Sequence, residues 1–125
     1  MAYNVLLVDD SATVRSVMTK TLKLAQIDLG ELFTAGNGKE ALVVLKDKWV
    51  DLVITDLNMP EMGGAELVDA INADDALKTI PVVVVTTEGS VTRIEDLKQK
   101  GVRGYVRKPF TPEQIREMIV KVMEE

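Results

Sequence analysis

The sequence predicts an α/β fold: five βα units in succession, wound into a five-stranded parallel sheet with helices on both faces. Three observations carry this. Short solid apolar runs (Val5–Val8, Leu52–Ile54 and Val82–Val85) recur along the chain and match strands buried on both faces. Longer stretches with apolar residues at helical spacing follow them, several opened by capping residues. The connections are short, with no linker, repeat or low-complexity segment, so residues 1–125 are expected to form one domain.

The elements follow in order. The first strand, Val5–Val8, ends at Asp9-Asp10. The first helix runs from about Ala12 to Ala25, with Ser11 as its cap and Val14, Val17, Met18, Thr21, Leu22 and Ala25 at helical spacing. Leu32–Ala35 is a mixed run suited to an edge strand. The second helix opens at Asn37, with Glu40 three residues on as in a capping box, and buries Ala41, Leu42 and Leu45. Leu52–Ile54 ends at Thr55-Asp56, and the helix after Gly63-Gly64 carries Leu67, Ala70 and Ile71. Val82–Val85 ends at Thr86-Thr87. The fourth helix follows Gly89-Ser90 with a thin stripe of Val91, Ile94 and Leu97, which predicts the loosest packing of the five; Gly101 stops it. Tyr105–Arg107 reads as the second edge strand. The fifth helix has the best start signal, with Thr111 as cap, Pro112 at the first position and Gln114 closing the box. Ile115, Met118, Ile119 and Val122 form its buried stripe.

Composition narrows the chemistry. The chain has no cysteine and no histidine, which removes disulfides, thiol nucleophiles, imidazole bases, Ser–His triads and His or Cys metal ligands. What remains is carboxylates, hydroxyls, lysine, arginine, the backbone and a hard metal ion. A net charge of −5 argues against nucleic acid or an anionic membrane as partner. The longest apolar runs are far too short to span a membrane, and the N-terminus lacks the basic start of a signal peptide, so a cytoplasmic location is expected.

In an open parallel sheet the working residues gather beyond the carboxyl ends of the strands. Here those ends carry Asp9 and Asp10, Asp56 followed by Asn58, Thr86, and Lys108. Each alone has an ordinary explanation as a helix cap, a turn residue or a solvated lysine. Together they are harder to dismiss, because three converging carboxylates repel one another unless a cation sits among them. Oxygen ligands without His or Cys suit Mg²⁺ or Mn²⁺. The set reads as a phosphoryl-acceptor site. Asp56 is the nucleophile, Asp9 and Asp10 hold the metal, and the Asn58 carbonyl adds an oxygen. Thr86 and Lys108 supply a hydrogen bond and a charge to phosphoryl oxygens.

Asp9-Asp10, the run Asp56-Leu57-Asn58-Met59-Pro60-Glu61-Met62-Gly63-Gly64, Thr86 and Lys108-Pro109-Phe110 resemble the signature of bacterial response-regulator receiver domains, in order and in spacing. The resemblance covers essentially the whole chain and is strongest to the single-domain chemotaxis type. It implies a flavodoxin-like sheet of order 2-1-3-4-5 and a cis Lys108–Pro109 bond. It implies phosphorylation of Asp56 by a sensor histidine kinase with Mg²⁺, in a monomeric protein that catalyses its own phosphorylation and dephosphorylation without being an enzyme toward other molecules. It also implies a coupled switch pair, Thr86 and Tyr105, and an output face made by the fourth helix, fifth strand and fifth helix. Lys98, Lys100, Arg103 and Arg107 make that region locally basic. The resemblance further places Asn58 and Glu88 at the positions that gate water and set the lifetime of the phosphoryl group, and implies fast clearance from this pair.

Two departures stand out. Chemotaxis receivers of enteric bacteria carry basic residues at the start of the fourth helix, where this chain has Ser90, Val91 and Thr92, which weakens the case for the flagellar motor switch as target. Thr87 is bulkier than the small residue often found beside the switch threonine. A phosphorelay intermediate or phosphate sink is the alternative reading of the same site. A haloacid-dehalogenase-type phosphohydrolase would need a second Asp where Asn58 stands, a flavin phosphate would meet Asp9-Asp10, and the P-loop motif is absent.

Overall fold

The structure, a computed structural model, describes residues 2–87 and 91–124, with the backbone alone at residue 91. Ten elements alternate: β1 (Tyr3–Val8), α1 (Ala12–Leu24), β2 (Leu29–Ala35), α2 (Gly38–Asp47), β3 (Leu52–Thr55), α3 (Gly64–Asn72), β4 (Val82–Thr86), α4 (Val91–Gln99), β5 (Gly104–Arg107) and α5 (Pro112–Met123). The five strands form one parallel sheet in the order β2-β1-β3-β4-β5.

The solid apolar runs are solid because alternate residues serve two cores. Leu6, Val8, Val53, Val82 and Val84 pack on one face with Ala41 and Leu45 of α2, Leu67, Val68 and Ile71 of α3, and Leu97 of α4. Val5, Leu7, Leu52, Ile54, Val83 and Val85 pack on the other with Met18 and Leu22 of α1 and Ile115, Ile119 and Val122 of α5. The mixed runs are the edge strands β2 and β5, each bonded to one neighbour.

Caps stand where the side chains predict them. Ser11 Oγ accepts from Val14 N–H, Asn37 Oδ1 from Glu40 N–H, and Thr111 Oγ1 from Gln114 N–H, with Gln114 Oε1 returning the bond to Thr111 N–H. Gly101 ends α4 with φ +92°, a backbone conformation that favours glycine. Gly89 and Ser90, the expected start of α4, lie outside the described residues.

Three details differ from the sequence reading. β2 begins at Leu29, three residues before the expected run, because its first residues pair with an extended β1 across an irregularity between Tyr3 and Val5. There Asn4 Oδ1, a side-chain acceptor, takes the bond from Glu31 N–H. Val17, placed in the α1 stripe by its spacing, is 58% exposed; Met18, Leu22 and Ala25 already fill the contact with the sheet. Glu40 does not close the capping box on Asn37 N–H; its Oε1 reaches one residue further, to Gly36 N–H at 3.1 Å.

Candidate functional site

The sheet ladder itself brings the polar strand ends together. Val8 pairs with Thr55, so the next residues, Asp9 and Asp56, leave β1 and β3 side by side. Both still hold ladder bonds, Asp9 N–H to Ala35 O at 3.1 Å and Asp56 N–H to Val8 O at 2.9 Å. At the other edge Thr86 pairs with Arg107, and Lys108 N–H donates to Thr86 O at 2.9 Å. Backbone pairing thus fixes where Asp9, Asp56, Thr86 and Lys108 start, and their side chains need only short reaches.

One carboxylate oxygen each from Asp9, Asp10 and Asp56 lies within 4.8 Å of the others. Asp9 is buried, Asp56 nearly so, and Asp10 exposed. Lys108 Nζ bridges the first pair, at 2.6 Å from Asp9 Oδ2 and 3.2 Å from Asp56 Oδ2. Burial by itself would depress the Lys108 ammonium's pKa. The hydrogen bond to Asp9 and the charge of Asp56 outweigh that, and the pKa stands above its ordinary value. The remaining oxygens are held by the backbone: Ser11 N–H donates to Asp9 Oδ1 at 3.0 Å and Leu57 N–H to Asp56 Oδ1 at 2.7 Å. Of the three clustered carboxylates, Lys108 thus contacts two, Asp9 and Asp56. An all-oxygen donor set with surplus negative charge fits a hard divalent cation.

A family model described as the response regulator receiver domain matches residues 5–120 of this chain. The chain belongs to that family. Among curated receiver proteins, the chemotaxis protein CheY of Pseudomonas aeruginosa is 41% identical over 122 residues, covering 96% of this chain and 95% of that protein. The chemotaxis protein CheY-3 of Vibrio cholerae is 40% identical over 122 residues, covering 96% and 91%. Among solved structures, the Vibrio cholerae chemotaxis protein CheY4 superposes with a TM-score of 0.87 at 35% identity, covering 98% of this chain and 99% of that one.

In this receiver domain Thr86 is buried at the end of β4, and Tyr105 is half-buried on β5. Because Val84 pairs with Tyr105, Tyr105 and Thr86 stand two register positions apart on neighbouring strands. Tyr105 packs on the core cluster that holds Leu97, and it lines a cleft of about 210 Å³ with Ile94, Leu97 and Val102 between α4 and β5. The Lys108–Pro109 bond is cis. Asn58 is exposed in the β3–α3 loop, while Glu88 lies outside the described residues. Thr87 is exposed and lines a mostly apolar groove with Val14, Val17, Lys108 and Phe110. The basic strip is thinner than its sequence: Lys100 Nζ binds both oxygens of Asp69 at 3.0 and 2.9 Å, and Lys98 sits 3.9 Å from Glu95. Arg103 and Arg107 are exposed.

Sequence reasoning missed Arg15, whose Nη1 donates to the Asp9 carbonyl at 2.6 Å and braces the β1–α1 turn. One signal was available. A basic residue in the first turn of a helix opposes the helix dipole and needs a local partner. It also missed the contacts between the β3–α3 loop and α2, which no short-range pattern announces.

Proposed function

We propose that this chain is a phosphorylation-activated signalling switch of a two-component system, a single receiver unit across residues 1–125 that accepts a phosphoryl group on Asp56 from a sensor histidine kinase. The observation that carries the reading is the convergence of Asp9, Asp10, Asp56 and Lys108 at the carboxyl edge of the sheet.

Asp9, Asp10, Asp56 and the Asn58 carbonyl would hold the Mg²⁺, for which Mn²⁺ can substitute. When bound, the metal neutralises the carboxylates and the incoming phosphoryl oxygens. A carboxylate oxygen of Asp56 attacks phosphorus in line; the new P–O bond forms as the P–N bond to the kinase imidazole breaks, and the nitrogen keeps the electron pair. Lys108, now shared by Asp9 and Asp56, offers its ammonium to the phosphoryl oxygens, and the Thr86 hydroxyl donates a hydrogen bond. Transfer therefore needs positioning and charge, and no histidine of its own. Dephosphorylation is the attack of water on the same phosphorus with the Asp56 carboxylate as leaving group. Asn58 and Glu88 flank that path and set its rate.

Engagement of Thr86 with the phosphoryl group draws Tyr105 inward and shifts a pre-existing equilibrium of the α4, β5 and α5 face, where the target docks. The relatives named for chemotaxis support a chemotaxis-type target for a cytoplasmic, monomeric protein. No helix of the described residues is long and apolar enough to cross a membrane. The start of α4 without basic residues favours a second reading for the output alone, a relay intermediate or phosphate sink using the same site.

Incubation with Mg²⁺ and a small-molecule phosphodonor, followed by intact mass, tests the proposal. A gain of one phosphoryl group that disappears in Asp56→Asn is expected. A gain that persists in Asp56→Asn, or none in the wild type with Mg²⁺ present, overturns it.

A further inference from the structure

The β3–α3 loop, residues 57–63, carries the Asn58 carbonyl assigned to the metal under the proposed function, and the inference rests on that assignment. Near its base the loop is closed by Gly64 N–H donating to Leu57 O at 2.9 Å. Its outer part is fastened to the first turn of α2. Gly38 N–H donates to Met62 O at 2.9 Å, and the buried Asn37 donates from Nδ2 to Glu61 Oε2 at 3.4 Å. Glu61 sits at φ 65°, a conformation that a side-chain-bearing residue holds when its surroundings fix it. Met62 lies directly over Gly38. A Cβ on residue 38 would stand 2.5 Å from Met62 Cγ, 2.7 Å from Sδ and 3.0 Å from Cβ.

Gly38 is the first residue of a helix, and its φ is not among the positive ones, so backbone freedom does not require glycine there. A glycine in a helix is a cost that alanine would relieve. Close approach is what it serves. A new methyl group would overlap Met62 Cγ and Sδ, whereas Met62 Cβ, at 3.0 Å, need give only slightly. The side chain beyond Cβ is therefore the obstruction, and while it stays in its seat the loop has to retreat.

We propose that Gly38 and Met62 are positioning residues for the phosphoryl site: the first turn of α2 sets the seat of the β3–α3 loop, and through it the place of the Asn58 carbonyl relative to the aspartates. Neither residue touches the reacting atoms. Their role is to remove freedom from a five-residue stretch, 58–62, that would otherwise have to be ordered each time the metal binds.

The test is Mg²⁺ titration of the wild type, Gly38→Ala, Met62→Ala and the double variant. Backbone amide NMR shifts report binding, and urea unfolding without metal reports stability separately. Gly38→Ala is expected to weaken Mg²⁺ binding about tenfold. In the Met62→Ala background, where the obstructing side chain is gone, the same substitution should change it by less than about twofold. Metal-free stability that stays near wild type in Gly38→Ala while Mg²⁺ binding weakens separates positioning from scaffolding. Asn37→Asp, which keeps the cap acceptor and loses the donor to Glu61, gives a second readout should Gly38→Ala fold poorly; weaker Mg²⁺ binding is expected there too. Wild-type affinity in Gly38→Ala and Asn37→Asp, or an equal loss from Gly38→Ala in both backgrounds, overturns the proposal while leaving the site assignment intact. Absence of Mg²⁺ binding by the wild type overturns the site assignment and this inference with it.

Discussion

Removing the Lys108 charge, as in Lys108→Met, should destabilise the metal-free protein far more than a surface lysine would. The ammonium lies 2.6 Å from one oxygen of Asp9 and 3.2 Å from one of Asp56, with both carboxylates and the lysine side chain mostly sheltered from water. At an effective dielectric constant of about 20 these two contacts carry gross attractions of about 6 and 5 kcal/mol. Desolvation of three charged groups takes back much of that, and truncating one partner of a buried pair typically costs about 3–5 kcal/mol. Asp9 and Asp56 each keep a backbone N–H donor in the variant, so the low end, about 3 kcal/mol, applies. With a urea slope of about 1.5 kcal/mol per molar, the unfolding midpoint should fall by about 2 M. Saturating Mg²⁺ supplies positive charge to the same carboxylates, and the deficit should then shrink to about 1 kcal/mol or less. Urea denaturation followed by circular dichroism, with and without Mg²⁺, reads both numbers. A midpoint within about 0.3 M of the wild type in the absence of metal, or a deficit that Mg²⁺ does not reduce, would show that the Lys108 ammonium does not hold the two carboxylates.

Three further outcomes are expected. Mg²⁺ at about a hundred times its dissociation constant should stabilise the wild type by about 2.7 kcal/mol; Asp10→Ala should lose that gain, and an unchanged thermal response to Mg²⁺ in the variant contradicts its role as ligand. Thr86→Ala should still accept the phosphoryl group yet leave the α4 amide shifts near their unphosphorylated positions in NMR spectra; shifts equal to those of the phosphorylated wild type would remove Thr86 as the coupler. The double variant Asn58→Met with Glu88→Leu should hold its phosphoryl group longer than the wild type once donor is removed, because both substitutions crowd and dry the path of the attacking water; phosphate release at an equal or faster rate speaks against that gate.

The sheet and the site were legible for different reasons. Val5–Val8 and Val82–Val85 announce central strands because parallel strands covered on both faces need no polar alternation, and the edge strands betray themselves by lacking such runs. Ser11, Asn37 and Thr111 mark helix starts because capping is a local interaction between residues three apart. The acidic cluster could be read because parallel pairing forces strand ends to one edge, so Asp9 and Asp56 meet although they lie 47 positions apart in sequence. What escaped was set by contacts across the fold. The early start of β2 depends on the Asn4 side chain replacing a ladder acceptor, and Val17 faces outward because the sheet below α1 is already filled. Lys100 reads as part of a basic strip until α3 brings Asp69 to it. The seat of Met62 on Gly38 is likewise tertiary, joining a loop to an element that local spacing cannot place beside it, whereas Arg15 reaches only six residues back, to the Asp9 carbonyl, and was marked by its place in the first turn of α1.

The most direct test asks which atom carries the phosphoryl group. After incubation with Mg²⁺ and a small phosphodonor, borohydride reduces an acyl phosphate on aspartate to homoserine, a change that peptide mass spectrometry locates residue by residue. Homoserine is expected at position 56, dependent on both Mg²⁺ and donor, with Asp9 and Asp10 unmodified. Homoserine at position 9 or 10, or a phosphoryl group on Ser11 or Thr86 that survives treatment with hydroxylamine, would contradict it.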